Sequence, residues 1–371
     1  MNRRSFLQVA AATPLLAASE KVPAYRVVSP YAPSKDPGMP GPYRGKVVRV
    51  HSEQCIDAGS EAVNAEVVRN MISRGLCELT GDARERDAWA RFISKDDVVG
   101  IKVNCSGAPN IMSTPEVVGD IARNLVAIGV PASNIYIYER FWNQLRSVHY
   151  ERFVPAEVHI QAAEANRGSV LGYDPDAYVE VSFFGEEDTR SNLVRLASEK
   201  LTKIINVPNM KEHQASGVTG CLKNIAYGSF SNMDRSHRWE KTNTRTFIGT
   251  LAAVEPVRSK TVLHVMDGLR GVWHAGPFSR DRRFRFYPKQ MMFGTDPVAM
   301  DRLLIDVIDG KRKAEGAPSV WDRSEKLLRM EGEPDPQFNR FLREPGHIEY
   351  AAGLGLGVYD IGRIDLRTIE L

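Results

Sequence analysis

The sequence predicts an α/β protein with a mainly parallel or mixed sheet and flanking helices. Short apolar runs alternate with amphipathic helical segments from Lys46 onward, which is typical of βαβ units. One run, residues 97–104, is apolar almost throughout, as expected of a parallel strand buried on both faces. The composition, 43% hydrophobic and 26% charged over 371 residues, is that of a globular protein. This length allows one domain or two lobes that meet near residue 250.

The predicted elements follow one another along the chain. The strands occupy residues 47–50, 97–104, 134–138, 203–207 and 262–266. The helices occupy residues 62–75, 114–129, 193–201 and 296–310. Thr114 and Asp296 each precede a proline, the usual order of an N-cap and a first helical residue, and glycines close three of the four helices. Residues 270–285 are basic and aromatic, and we expect them to form a long loop or flap.

The first 19 residues resemble a twin-arginine export signal. Arg3 and Arg4 precede a Phe-Leu pair, an alanine-rich stretch follows, and small residues stand at 17–19. We therefore expect the twin-arginine translocase to export the protein to the periplasm or beyond. Residues 20–45 are rich in Pro, Gly, Ser and Tyr and predict a linker or arm over the surface. Because no other stretch reaches about 18 apolar residues, no stable membrane span is expected.

Charge and cysteine spacing exclude several classes of protein. The 49 Lys and Arg against 46 Asp and Glu give a net charge of only +3, which offers no electrostatic basis for nucleic-acid binding. The four cysteines are far apart, with no C-x-x-C pair, which argues against a zinc ribbon or an iron–sulfur cluster of local spacing. Their pairing in disulfides stays open.

The segment with the most chemical potential is residues 207–224. Two glycines let a ligand approach the backbone, whose N–H groups can hold a phosphate or carboxylate, and the two lysines add charge. The imidazole in this segment can titrate near neutral pH and act as an acid or base. The candidate residues are Lys211, His213, Gly217, Thr219, Gly220, Lys223 and Asn224.

Further candidates stand at the carboxyl ends of predicted strands, where α/β proteins bind their ligands. Lys102 and Asn104 end the strand of residues 97–104 and are positioned to contact an anion. Asp267 follows the strand of residues 262–266. Its carboxylate either orients His213, holds a metal or caps a turn.

Several of these segments together resemble the DUF362 family. The matching segments are Lys102-Val103-Asn104, Thr114-Pro115-Glu116, residues 206–213, residues 217–224, the 296–301 helix start and the glycine-rich end at 351–357. The resemblance covers roughly residues 46–360 and places the main site in an α/β lobe over 46–250, with a C-terminal lobe over 251–371. Many members of the family carry an added ferredoxin-like domain, for which this chain has no cysteine motif.

A segment of nickel-dependent lactate racemase is also similar in the order and spacing of four residues, which here are His213, Gly217, Gly220 and Lys223. That resemblance implies a catalytic histidine at 213, a cofactor joined to Lys223, and His237 as a metal ligand. The racemase has an Arg-Pro nucleotide loop after its first strand, where this chain has residues 104–109 of different type. The identity of any nucleotide therefore stays open.

We therefore expect an exported enzyme that binds an anionic substrate or a nucleotide-type cofactor at residues 211–224. Its chemistry would be redox or epimerising, and its cofactor a metal or a metal-nucleotide group. The alternative is a periplasmic binding protein that captures a phosphate- or carboxylate-bearing ligand without turnover. In both cases the partner is a small molecule.

Overall fold

A computed structural model describes residues 22–33, 38–165, 172–237, 243–322 and 345–371. The predicted signal at 1–19 lies outside the described residues. The strands are β1 (Arg26–Val28), β2 (Lys46–His51), β3 (Val99–Lys102), β4 (Ile135–Phe141), β5 (His159–Glu164), β6 (Tyr173–Glu180), β7 (Arg190–Val194), β8 (Lys203–Asn206), β9 (Asn209–His213), β10 (Gly217–Thr219), β11 (Thr261–Val272), β12 (Arg285–Phe286), β13 (Gln290–Gly294) and β14 (Asp365–Glu370). The helices are α1 (Ala65–Thr80), α2 (Glu85–Ala90), α3 (Pro115–Ala127), α4 (Trp142–Arg146), α5 (Cys221–Ser229), α6 (Thr244–Ala252), α7 (Val257–Lys260), α8 (Pro297–Ala314) and α9 (His347–Gly353).

Within the described residues, 11 strands form one mixed sheet, which confirms the predicted fold class. Its main path runs β14-β2-β13-β11-β8-β3-β4-β5, and β9, β10 and β12 join beside β11. The neighbours from β11 through β8, β3 and β4 to β5 are all parallel, whereas β13 is antiparallel to both β2 and β11. Strands from both sides of residue 250 thus share one sheet. The arm contributes β1, which pairs with β6 in a separate sheet β1-β6-β7.

Helices cover both faces of the large sheet. Because successive strand residues point to opposite faces, Val47 and Ile204 enter one core while Val48 and Ile205 enter the other. The first core also contains apolar residues of α5, α6, α8 and α9, and the second contains those of α1, α2 and α3. Among the described residues, no helix is long and apolar enough to cross a membrane. All four cysteines are unpaired thiols.

The first helix is longer than predicted. It passes through Gly75 and ends at Gly81, which adopts the left-handed conformation (φ 81°) and donates its N–H to the carbonyl of Cys77. Gly75 has a packing role instead, because a Cβ there would lie 2.3 Å from the ring of Phe293. The predicted starts of α3 and α8 are confirmed. Asp296 caps α8 by accepting the N–H of Ala299 at 2.9 Å.

Two other predicted elements differ from the structure. The helix expected over 193–201 is wrong, because β7 extends to Val194 in its pairing with β6, and a π-helical turn over Leu196–Lys200 follows. The strand expected over 262–266 continues to Val272, since β13 and β12 pair along its length. Asp267 therefore lies inside β11 rather than at its end.

Candidate functional site

A cavity of about 150 Å³ lies beyond the carboxyl ends of β3 and β4, next to α5. This is the edge of the sheet at which the sequence places ligand binding. Six predicted site residues line it: Asn104, His213, Thr219, Lys223, Asn224 and His237. Lys102, Lys211, Gly217, Gly220 and Asp267 are not among the lining residues.

Residues 207–224 form a hairpin and a helix rather than one open loop. β9 and β10 pair antiparallel, with His213 opposite Gly217 and Lys211 opposite Thr219. Gly217 has a φ of 74°, a conformation that side chains rarely adopt, so glycine is required where the hairpin returns. The chain then enters α5, which carries Lys223 into the cavity.

The carboxylate of Asp301 occupies the amino terminus of α5. Its two oxygens accept the N–H groups of Cys221 at 2.6 Å and Leu222 at 2.9 Å. Gly220 permits this contact, since a Cβ there would lie 2.0 Å from the Asp301 carboxylate. The sequence predicted that backbone N–H groups here bind a ligand anion, but a side chain of the protein already accepts two of them. Burial raises the pKa of Asp301 to about 7.

Lys102 is an internal counter-ion. Its Nζ lies 3.0 Å from Oε2 of Glu139 and also bonds the carbonyl of Val103. Gly228 of α5 makes room for this side chain, because a Cβ there would lie 1.9 Å from the Lys102 Cε. The same carboxylate accepts the N–H of Arg140 at 2.7 Å. Lys102 therefore neutralises Glu139, which itself lines the cavity.

Lys211 starts a chain of buried hydrogen bonds that runs in one direction. Its Nζ donates to Oδ1 of Asn104 at 2.6 Å, and Nδ2 of Asn104 donates to Oδ1 of Asn224 at 3.0 Å. Asn224 donates in turn to Asn206 at 2.7 Å, and Asn206 to Nδ1 of His264 at 3.0 Å. Each amide is thereby oriented by the group before it. Burial lowers the pKa of Lys211 to about 7.

The hydrogen bonding of His213 fixes its tautomer. Nδ1 accepts the backbone N–H of Ala215 at 3.1 Å, so a neutral ring carries its proton on Nε2. Burial lowers the pKa of His213 well below its ordinary value, and the charges of Lys223 and His237 lower it further. In this state the imidazole offers Nε2–H as a hydrogen-bond donor, and accepting a proton would require Nδ1 to lose its bond to Ala215.

Lys223 and His237 complete this side of the cavity. The Lys223 side chain is 5% exposed, and its Nζ lies 5.1 Å from the centre of the Tyr227 ring. Within the described part of the chain, this Nζ makes no hydrogen bond or ion pair. Burial lowers its pKa well below the ordinary value, and Lys211 lowers it further. The rings of His237 and His213 are 5.7 Å apart, and burial lowers the pKa of His237 to about 4.

The described residues do not fit the metal-nucleotide cofactor that the racemase resemblance implies. Over the described ranges, no group of three or more His, Cys, Asp or Glu side chains is placed to hold a metal ion. Pockets that bind drug-sized ligands measure roughly 300–1,000 Å³, and this cavity, at about 150 Å³, is smaller than a pocket that would enclose a nucleotide. This volume suits a ligand smaller than a nucleotide.

Asp267 accepts hydrogen bonds from two parts of the backbone and does not line the cavity. Its Oδ2 accepts the N–H of Thr114 at 2.7 Å, at the start of α3, and its Oδ1 accepts the N–H of Leu269 at 3.1 Å. The side chain of Asn209 adds a longer contact of 3.5 Å. Of the three roles the sequence left open, the contacts match the capping of a chain turn. Burial raises the pKa of Asp267.

Several residues of the site and its support were not predicted from the sequence, among them Tyr227, Phe278 and Asp301. Tyr227 lies four residues after Lys223 on α5, and this helical spacing is the signal that places both on one face. Phe278, in the predicted flap over 270–285, lines the cavity and is 45% exposed. Asp301 was recognised only as a helical residue, and no local signal connects it to α5.

Comparisons with known proteins identify a family but no activity. A crystal structure of a protein from Thermotoga maritima, solved as a structural genomics target, is similar at 13% identity and a TM-score of 0.34. The similarity covers 57% of this chain and about half, 51%, of that one. The curated proteins include no match. The family model described as "Domain of unknown function (DUF362)" matches residues 99–306, which is more than half of the sequence. The chain therefore belongs to the DUF362 family.

Proposed function

We propose that the protein is an enzyme that binds a small oxo acid in this cavity and labilises a proton on the carbon next to the carbonyl. Chemistry of this kind epimerises or isomerises its substrate. The observation that carries the proposal is the placement of Lys223, a buried amine that faces a ligand-sized space without a partner among the described residues.

The amine of Lys223 favours an anionic ligand, although the carboxylate of Asp234 also lines the cavity. An ammonium group buried without a counter-ion costs several kcal/mol in effective desolvation, so Lys223 either loses its proton or meets an anion. The carboxylate of Glu139 is already paired with Lys102. The charge of Glu212 favours the ammonium form of Lys223, but Glu212 makes no hydrogen bond or ion pair with it in the described structure. Arg140 also lines the cavity, and its Nε bonds Glu164 at 3.1 Å. A carboxylate brought by the ligand would supply the missing charge.

The remaining donors suit a carbonyl oxygen that gains negative charge. Removal of a neighbouring proton moves charge onto this oxygen, and hydrogen-bond donors placed in advance stabilise that charge. His213 offers Nε2–H, and a neutral imidazole is a suitable donor to an enolate. The hydroxyl of Thr219, which lines the same cavity, is buried with no hydrogen-bond partner in the described structure.

Calorimetric titration tests the binding part of this proposal. Pyruvate and lactate should both bind, and acetamide, which lacks the charge, should not. Lys223→Met keeps the length of the apolar stem, and it should weaken binding of both acids about 10- to 100-fold, the worth of one charged hydrogen bond. Lys95→Met, at an exposed position, is the control and should bind as the wild type does. Equal affinity in all three proteins would contradict the proposal.

A binding protein without turnover is the second candidate, and the same unpartnered lysine favours it. Such a protein would bind pyruvate and lactate without exchanging any of their protons with solvent. Proton exchange therefore separates the two candidates.

We also propose that the protein is exported by the twin-arginine translocase. The support is sequence order alone, namely Arg3 and Arg4, the Phe-Leu pair, the alanine-rich stretch and the small residues at 17–19. An exported enzyme of this kind would act on small acids outside the cytoplasm.

A further inference from the structure

We infer that Lys223 is a nucleophile that captures the carbonyl carbon of a 2-oxo acid as an imine. The inference rests on the proposed function and specifies its substrate class: the ligand must carry an aldehyde or ketone beside its carboxylate. It would make the protein a Schiff-base enzyme.

The three buried lysines near the site differ in their hydrogen-bond acceptors. Lys102 donates to a carboxylate oxygen of Glu139 and to the Val103 carbonyl. Lys211 is saturated by three oxygens, Oδ1 of Asn104 and both the carbonyl and the hydroxyl of Ser106. Over the described residues, Lys223 has no such acceptor, and of the three lysines it is the one that lines the cavity.

The surroundings of Lys223 keep its lone pair available. Oxygens that accept the protons of an ammonium favour its charged form, and a neutral amine is favoured where such oxygens are missing. Burial and the nearby charge of Lys211 lower the pKa of Lys223, and together they outweigh the charge of Glu212, which raises it. A desolvated lysine beside another cation is a recognised form of activated amine nucleophile. The face of the Tyr227 ring, 5.1 Å from Nζ, attracts the charged form weakly and so offsets part of this effect, but it offers the amine no oxygen acceptor.

The reaction balances without an oxidant or a reductant. Nζ attacks the carbonyl carbon, an N–C bond forms, and the electron pair of the C–O π bond moves to oxygen. The resulting carbinolamine expels this oxygen as water while the nitrogen lone pair closes the C=N bond. Both protons of the released water originate on Nζ in the net reaction. His213 keeps its own proton and donates a hydrogen bond from Nε2 to the oxygen as charge develops there.

An imine also explains how a proton next to the carbonyl becomes labile. The imine nitrogen takes a proton from solvent water, and the resulting C=N–H cation withdraws electrons more strongly than the original C=O. The neighbouring C–H then gives its proton to water, and its electron pair forms the C=C bond of a neutral enamine, so that one proton is gained from solvent and one is returned. The site thus needs no metal for this step, and the described residues offer no three-ligand metal set.

Reductive trapping tests the inference. The full-length protein is incubated with pyruvate and sodium cyanoborohydride, and its intact mass and peptides are then measured. We expect one adduct per chain, with the mass of pyruvic acid less one oxygen atom, on the peptide that contains Lys223. Lactate, which has a hydroxyl in place of the carbonyl, should give no adduct. Lys223→Arg, which keeps a cation but not the nucleophile, should lose the adduct, whereas Lys95→Arg should retain it.

The outcomes separate this inference from the proposed function. If pyruvate and lactate bind by calorimetry but no adduct forms at Lys223, the imine is overturned and the anion site stands. If adducts form only on exposed lysines such as Lys95, the imine is likewise overturned. If neither acid binds and no adduct forms, both the inference and the proposed function fail.

Discussion

The imidazoles buried near the site are neutral because the protein interior disfavours their charged form. Burial lowers the pKa of His264 to about 3 and that of His237 to about 4, and lowers that of His213 well below its ordinary value. An unfolded chain binds protons at these rings below about pH 6.5. Between the folded and unfolded pKa the unfolded state therefore holds more protons, so these groups make stability fall as the pH falls.

His264→Asn tests the direction of this pH dependence of stability at one histidine. The amide oxygen of Asn replaces Nδ1 as acceptor for Asn206 but does not titrate. The stability advantage of the wild type over the variant should shrink by about 1.4 kcal/mol per pH unit from pH 6 to pH 4. Urea unfolding at several pH values measures it, and His149→Asn, which removes a half-exposed ring, is the control. Parallel pH profiles of wild type and His264→Asn would contradict the assignment.

At the scale of residues, the sequence identified six of the residues that line the cavity but not the partners of its charges. His213, Thr219, Lys223 and Asn224 lie within one segment, so glycine spacing and side-chain type were enough to find them. Lys102 and Lys211 are of the same type, yet they make internal bonds to Glu139 and Asn104. Those partners are distant in sequence and are brought near only by the sheet, so composition could not separate a structural lysine from an unpartnered one.

At the scale of elements, α5 depends on a contact between two segments far apart in the chain. Its first N–H groups bind Asp301 of α8, and Gly220 leaves room for that carboxylate. The helix in turn positions Lys223 and Tyr227. A change that destabilises the first turn of α5 should therefore also displace the side chains that line the cavity.

Gly220→Ala should disturb this start. The added Cβ would lie 2.0 Å from the Asp301 carboxylate, so the two helices must move apart at a cost of about 1–3 kcal/mol. Gly310→Ala is a matched control in α8, because Gly310 is exposed and a Cβ there meets nothing within 4 Å. It should be neutral or stabilising by up to about 1 kcal/mol. Equal stabilities for the two variants in thermal unfolding would rule out the proposed contact.

Local signals predicted the two helix starts at a proline and missed the bounds that strand pairing sets. Of these two starts, that of α8 has a side-chain cap, whereas the Thr114 side chain makes no capping hydrogen bond at α3. α3 and α8 begin at the expected prolines because the N-cap and first-turn pattern is encoded by adjacent residues. Residues 193–201 instead follow their pairing with β6, and Asp267 lies mid-strand because β13 and β12 extend β11. Pairing between distant strands overrides helical periodicity, and periodicity alone does not report it.

At the scale of the whole molecule, the alternation of strands and helices was sufficient to predict an α/β fold. The position of the cavity at the carboxyl ends of β3 and β4 also follows from that fold class. The order of the strands does not follow, since the antiparallel insertion of β13 between β2 and β11 has no marker in the sequence. The DUF362 resemblance, noted from scattered motifs, is confirmed over residues 99–306.

Export concerns the whole chain, and substitution of the twin-arginine pair tests the export proposal. Arg3→Lys combined with Arg4→Lys should leave the protein in the cytoplasm with residues 1–19 uncleaved, because lysine cannot reproduce two guanidinium groups. Cell fractionation with intact-mass measurement reads both effects, and Arg26→Lys in the described arm is the control. Normal processing of the double variant would show that the export proposal is wrong.

Proton exchange, followed by NMR in deuterated buffer, tests the central claim most directly. The wild type should exchange the methyl protons of pyruvate with solvent faster than buffer alone, because an enamine forms and is reprotonated. Lys223→Met should reduce the rate to the buffer background, and His213→Phe, which removes Nε2–H, should reduce it in part. Pyruvate bound by the wild type and yet exchanged no faster than in buffer would contradict the account, and would identify the cavity as a binding site without chemistry.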